Sequence, residues 1–365
     1  PKDKLVDDDS EYKVCVYNEN FFIDLSRYRM NWAVEVGGLK VLSGIVDNVS
    51  AAPGETVSVG LGFTRRDALA AAAAAVQTPV CAKFGTVDGV DTDIYLKVSW
   101  TLKAQDGILP AGYEVAYDQI PVYEAPVQPF AAGSASVSGE KLPAFDDNAS
   151  CVTLSGNFVS ERSASGDKVS SWAAVFDKGT GALTRYSIDG VEMLEEPLMP
   201  SFGRAPVEND LGASLDIKFK VWRYPDFELL SFNAEKQNDC WRVASVYSVP
   251  GVDCTVSVTY LVYADGSVAV SEKMNDRGGL DNAPDMFRFG MKFAMPGEFS
   301  TLDFYGLGPW DTYCDRKSSA IAGHYVQRVQ DQYYYGYVRT QESGNKSDLR
   351  WLKVVNAAGT GLEVT

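Results

Sequence analysis

Strict alternation of apolar and polar side chains constrains this chain more than any other feature. In the run DIYLKVSWTLK, Ile94, Leu96, Val98, Trp100 and Leu102 fall on one side, and Tyr95, Lys97, Ser99, Thr101 and Lys103 on the other. A period of two sends these sets to opposite faces of a pleated strand, one buried and one wet. The same reading puts Leu215, Ile217, Phe219 and Val221 of SLDIKFKV inward on a strand. It does the same for Phe287, Phe289, Met291, Phe293 and Met295 of FRFGMKFAM. The runs CTVSVTYLVY and SVAVSEKM flank Asp265-Gly266, a hairpin signal because glycine accepts the positive φ that tight two-residue turns require. Further turn signals fall at Pro53-Gly54, Asp88-Gly89, Gly179-Thr180-Gly181, Asp189-Gly190, Pro250-Gly251 and Pro296-Gly297. Strands divided by turns, with almost no helical periodicity, predict an all-β fold of packed sandwiches. The exception is RRDALAAAAAAV, where Asp67 reads as an N-cap and the alanine run as a short helix inserted between strands.

At 365 residues the chain exceeds one typical domain, and 45% apolar residues suffice for a sizeable core. Strand signals run from Tyr12 to about Val122, and the Pro, Ser, Ala and Gly-rich stretch YEAPVQPFAAGSASVSGEKLP follows. They resume at Ala149. The predicted organisation is a domain over 1–125, a crossing segment over 126–148 and a larger β domain over 149–365. The end, RWLKVVNAAGTGLEVT, reads as strand, turn and the opening of another strand, so the second domain is expected to be truncated at its C-terminus. The charged start PKDKLVDDDSEY lacks Met and reads as a cut from a longer chain rather than as a signal peptide.

Forty-nine acids against 33 bases give a net charge of −16. Such a surface repels phosphate backbones and anionic lipid, which argues against nucleic-acid and membrane partners. No stretch reaches the ~18 apolar residues of a membrane span. The six cysteines lack the close pairs of a zinc site, so no metal ligand set is predicted. Free buried thiols are the plain reading, with a Cys240–Cys254 bridge across a hairpin as the alternative. The single histidine, His324 in AGHYVQ, must carry any His-based acid–base chemistry.

Three clusters mix arginine, acids and glycine, two of them with amides as well, in a way that suits neither strand nor helix. They are FGRAPVENDLG (202–212), YGLGPWDTYCDR (305–316) and YVRTQESGNKSDLRW (337–351). Arg204 and Arg316 suit bidentate carboxylate pairing, which pins loops. Trp310 and Tyr313 offer flat faces to sugar C–H groups, while Asn209, Asp210 and Gln341 offer hydrogen bonds to hydroxyls. A glycosidase needs two carboxylates flanking the scissile bond. No β/α repeat is present to arrange them as barrel enzymes do.

At these clusters the chain resembles the C-terminal part of bacterial β-galactosidases of glycoside hydrolase family 2. Phe202, Arg204, Ala205, Pro206, Asn209 and Asp210 match the pattern F-x-R-A-P-x-D-N-D, with Glu208 replacing the first Asp. Gly306, Gly308, Pro309, Tyr313, Asp315 and Arg316 match G-x-G-P-x-E-N-Y-x-D-R, with Asp311 and Thr312 replacing Glu and Asn. Tyr337, Val338, Glu342 and Gly344 match Y-V-x-P-x-E-N-G, with Thr340 and Ser343 replacing Pro and Asn. Upstream, NENFFIDLSRYRMNWAVEVGGLKVLSG and LPAGYEVAYDQIPV resemble the domain that follows the family's barrel, with Tyr113 where His is usual.

The resemblance implies an immunoglobulin-like sandwich followed by a large supersandwich related to galactose mutarotases. It implies a bacterial parent that hydrolyses terminal β-galactosides with retention, in cytoplasm or periplasm. It also implies catalytic glutamates on a barrel N-terminal to everything here, with divalent and monovalent metal ions near that barrel. On this reading the chain is a non-catalytic fragment without its own cofactor, and it belongs to a possible homo-oligomer. Trp310, Arg204, Asn209, Asp210 and Glu342 are its candidate carbohydrate contacts, and Gly306, Gly308, Pro309, Asp315 and Arg316 its structural loop. Two other readings stay open, a stand-alone carbohydrate-binding module and an aldose-mutarotase-like protein that would use His324.

Overall fold

The computed structural model describes residues 10–76, 93–124, 142–161 and 168–365. The predicted Asp88-Gly89 turn, Cys81 and most of the crossing segment lie outside them. The described residues form an all-β protein of packed antiparallel sheets.

The N-terminal strands are β1 (Glu11–Tyr17), β2 (Tyr28–Val36), β3 (Leu39–Val46), β4 (Thr56–Thr64), β5 (Ile94–Leu102) and β6 (Glu114–Tyr123). β1 pairs with β4, and a second sheet runs β3-β2-β5-β6. The alternation read in β5 holds, for Ile94, Leu96, Val98 and Leu102 are buried. Ile94, Leu96 and Val98 join Met30, Val34 and Val36, and Val14, Val59, Leu61 and Phe63 of the smaller sheet, in one apolar core. The alanine run forms α1 (Arg65–Val76). Ala68 and Ala72, four residues apart on one face, are fully buried against that core. The cap lies three residues earlier than expected. The Thr64 hydroxyl accepts the Asp67 N–H at 3.1 Å, and Asp67 Oδ2 accepts the Thr64 N–H at 2.8 Å. Asp67 is thus the returning arm of a reciprocal capping box rather than the cap itself.

In the second region come β7 (Ala144–Asp147), β8 (Cys151–Glu161), β9 (Lys168–Asp177), β10 (Leu183–Ile188), β11 (Val191–Glu192) and β12 (Glu196–Pro200). Three short helical turns follow, α2 (Glu208–Gly212), α3 (Leu215–Lys218) and α4 (Lys220–Arg223). The meander β13 (Glu228–Lys236), β14 (Cys240–Val249), β15 (Cys254–Tyr263) and β16 (Val268–Asp276) comes next. β17 (Met291–Ala294) completes a seven-stranded sheet ordered β17-β12-β10-β9-β8-β7, with β11 on β10. β18 (Thr301–Gly308), β19 (Ile321–Arg328), β20 (Trp351–Val355) and β21 (Gly361–Val364) form a last sheet ordered β19-β18-β20-β21.

The seven-stranded sheet faces the meander across a core of Leu154, Trp172, Phe176, Val243, Tyr247, Val256, Val258 and Tyr260. Phe176 meets Tyr260 edge to face at 5.1 Å between centroids. The Asp265-Gly266 hairpin forms as read, with Val262 opposite Val268 and Gly266 at φ 87. Cys240 and Cys254 are both free, since register places Cys240 opposite Tyr263 and Cys254 opposite Val249 at the other end of the ladder.

Two strand assignments fail. SLDIKFKV is α3 and α4, and Ile217, assigned inward, is 71% exposed. The buried anchor is Trp222, which sits out of that alternation and donates from Nε1 to the Pro284 carbonyl at 2.5 Å. A short apolar run cannot by period alone distinguish strand from helical turn. FRFGMKFAM is strand only over Met291–Ala294. Phe289 instead stacks on Phe202 at 5.4 Å, and Phe287 meets Phe219 edge to face at 5.1 Å.

The N-terminal sandwich joins the last sheet through specific bonds. Arg350 pairs with Asp93 through Nε–Oδ2 at 2.9 Å and Nη2–Oδ1 at 3.1 Å, and Asp93 is 3% exposed. The Gln119 side-chain amide accepts the Ala322 N–H and donates to the Ala322 carbonyl, each at 2.8 Å. The Gly38 turn, at φ 82, lies so near His324 that a Cβ there would come within 2.5 Å of its backbone nitrogen.

Candidate functional site

The three unusual clusters converge into one corner. Arg204 donates to both oxygens of buried Asp210 at 2.6 and 3.1 Å, and its guanidinium lies 4.8 Å from the Phe287 ring centroid. Asp210 also accepts the Val207 N–H at 2.8 Å, which caps α2. The middle of the third cluster binds this first one. The Glu208 N–H donates to the Thr340 carbonyl at 2.9 Å, Arg339 pairs with Glu208, and Arg288 pairs with Glu342.

The 305–316 stretch begins as strand, because Tyr305 to Gly308 end β18. Its glycines permit close approach. A Cβ on Gly306 would lie 2.8 Å from Leu349 Cα, and one on Gly308 would lie 2.8 Å from the Tyr325 ring. The Gly308-Pro309 peptide is cis. Beyond it, Asp311 accepts the Gly344 N–H at 2.7 Å, and the Thr312 hydroxyl accepts the Ser347 N–H at 2.6 Å. Thr312 donates its own N–H to the Asn345 carbonyl at 2.9 Å. Both residues are buried, at 7% and 1% exposure, and both stand where this sequence departs from the family pattern. Asp315 is exposed, with the Cys314 thiol 3.5 Å from its Oδ1. Arg316 donates to the Tyr337 hydroxyl at 2.6 Å and lies 3.9 Å from Asp311.

Beside this corner opens a cleft of about 890 Å³, walled in part by Pro309, Trp310, Asp311, Tyr313, Arg316, Asp331, Tyr334, Tyr337 and Lys346. Trp310 is 58% exposed. Burial, and then a hydrogen bond with Tyr337, push the Tyr313 phenol up to about 12. Of the five candidate carbohydrate contacts, Trp310 alone lines this cleft. Arg204, Asp210 and Glu342 are held in ion pairs, and Asn209 is exposed on α2. Tyr334 was not singled out in the sequence, although four tyrosines in the five residues 333–337 mark the segment. His324 sits apart on β19, with Nε2 2.6 Å from Asp303. Among the described residues no group of three or more His, Cys, Asp or Glu is placed to hold a metal ion.

Fold and corner together define an all-β sandwich protein whose polar loops lock one another. Residues 168–365 match the family model of the β-galactosidase small chain, and residues 14–123 match that of β-galactosidase domain 4. The chain belongs to the β-galactosidase small-chain family. It is similar to a β-galactosidase of Priestia megaterium, 27% identical over 358 residues, covering 97% of this chain and 30% of that protein. A β-galactosidase of Halalkalibacterium halodurans is 31% identical over 196 residues, 53% of this chain and 19% of its own. One of Streptococcus thermophilus is 25% identical over 359 residues, 97% and 30% respectively. The chain thus spans less than a third of the length of these relatives.

Proposed function

We propose that the chain serves as a non-catalytic, scaffolding part of a retaining β-galactosidase whose hydrolytic carboxylates lie in another part of the enzyme. The observation that carries this reading is how the acids of the corner, the exposed Asp315 apart, are used. Glu208, Asp210, Glu342 and Asp348 pair with Arg339, Arg204, Arg288 and Lys317, and Asp311 caps the Gly344 N–H beside Arg316. In the cleft, Asp331 is held by Arg328 through two bonds of 2.7 and 2.8 Å. Retaining hydrolysis needs one carboxyl free to give a proton and a second free to attack, about 5–5.5 Å apart. Acids committed to arginine, lysine and backbone N–H donors fix loop geometry rather than standing free as a facing pair. The similarity to β-galactosidases along 97% of this chain but 30% of a relative supports the same division of labour. The test is hydrolysis of a chromogenic β-galactoside by the purified chain. Buffer-level rates are expected, and turnover abolished by Asp331→Asn would overturn the reading.

A further inference from the structure

The cleft next to the locked corner has a chemistry that scaffolding leaves unused. Its lining includes the rings of Trp310, Tyr313, Tyr334 and Tyr337. Trp310 and Tyr334 are 58% and 55% exposed, so flat apolar surface stands open to solvent. Such rings receive the C–H faces of pyranoses, while nearby amides answer the hydroxyls.

The amides are there and are held in place. Gln327 donates to the Pro309 carbonyl at 2.9 Å and accepts from Gln332 at 3.1 Å, and each side chain keeps further capacity for hydrogen bonds. The aromatic wall is equally fixed. Tyr334 meets Tyr337 edge to face at 4.7 Å, and Arg316 holds the Tyr337 hydroxyl. The Trp310 segment is anchored on both sides, by Asp311 on Gly344 and by Lys346 Nζ donating to the Trp310 carbonyl at 3.3 Å. Preorganisation of this kind lowers the ordering cost of binding.

Charge argues against a cationic ligand. The cations of the lining are already engaged, Arg328 with Asp331, Arg316 with Tyr337 and Asp311, and Lys346 with a backbone carbonyl. Burial also lowers the Lys346 pKa. Both acids of the lining, Asp311 and Asp331, already lie beside arginines, so a cation finds no free carboxylate there, and a neutral polyhydroxyl ligand needs no charged partner. The volume of about 890 Å³ lies toward the upper end of small-ligand sites, roughly 300–1,000 Å³, and suits more than one sugar ring.

We propose that this cleft binds a neutral oligosaccharide, stacked on Trp310 and Tyr334 and hydrogen-bonded by Gln327 and Gln332. The site does not depend on the scaffolding reading. Hydrolysis by the chain would overturn that reading and leave the cleft, and a silent titration would overturn the cleft and leave that reading.

Titration calorimetry of the whole chain with lactose and with β-1,4-galactotriose tests it. Saturable binding in the millimolar range is expected, tighter for the trisaccharide. Trp310→Ala and, separately, Tyr334→Ala should each weaken it by at least about tenfold, with Trp310→Phe intermediate. Both side chains are more than half exposed, so an unchanged circular dichroism spectrum serves as the folding control. Absence of saturable heat would overturn the proposal, as would affinity indifferent to both alanine variants. So would self-association that shields Trp310 without any response to sugar.

Discussion

Between the seven-stranded sheet and the meander, Phe176, Tyr260, Val256 and Val258 pack with no exposed surface. A short way along the chain, Asp210, Asp311 and Thr312 are nearly as buried, but they are surrounded by N–H donors and guanidinium groups. The first region is held by removal of apolar area from water, which has no preferred direction. The second is held by a few directed bonds, each useful only while its partner is present. A core of the first kind tolerates exchange between residues of like volume. A corner of the second kind tolerates joint replacement of a pair far better than loss of one member.

Substitutions centred on Phe176, Asp210 and Glu272 probe that contrast, in order of expected size. Phe176→Ala should cost about 3–5 kcal/mol by urea denaturation, and Phe176→Leu far less. Asp210→Ala strands the Arg204 guanidinium and the Val207 N–H, and should cost about 2–3 kcal/mol, somewhat below the loss for a fully buried pair. Adding Arg204→Met to Asp210→Leu should restore most of that stability. If Asp210→Ala alone were neutral, the contrast between the two regions would collapse.

The smallest effect concerns an acid placed on the wrong side of the divide. Glu272, opposite Val258 on β16, has both carboxylate oxygens buried without a hydrogen-bond partner. Burial raises its pKa from 4.5 to about 7. The folded form keeps the proton where the unfolded chain has released it. Stability therefore falls as pH rises from about 4.5 to about 7 and is level above that. Glu272→Gln should gain about 1–2 kcal/mol at about pH 8, once screening of a half-buried group is counted, and nothing at about pH 4. Denaturation midpoints at the two pH values check this, and an equal gain at both would show that charge is not the cause.

The sheets were legible because burial acts on every second residue of a strand, as in β5 and the β15–β16 hairpin. The run 215–221 reads as strand because two helical turns in series also scatter apolar residues at odd positions, and the exposure of Ile217 and burial of Trp222 tell them apart. The loop clusters were visible as odd composition, and the Arg204–Asp210 pair, six residues apart, was within local reach. Partners such as Asp311 with Gly344 or Arg288 with Glu342 are set by how sheets bring distant loops together, which no local pattern encodes. Tyr334 stayed hidden for a similar reason, since its role depends on which wall of the cleft it joins.

Gln119 meets Ala322 through a carboxamide, the same chemical group as the peptide bond it bonds to. The joint between the two sandwiches is therefore spelled in main-chain language on one side. The backbone groups at position 322 are common to every residue but proline, and burial of Ala322 is what keeps the side chain there small. At position 119 the alphabet is nearly a single letter, for glutamate keeps the acceptor but turns an anion toward a carbonyl, and a shorter amide falls short. Beside the Arg350–Asp93 pair, this one side chain fixes how the sandwiches meet by reading the facing strand through its backbone.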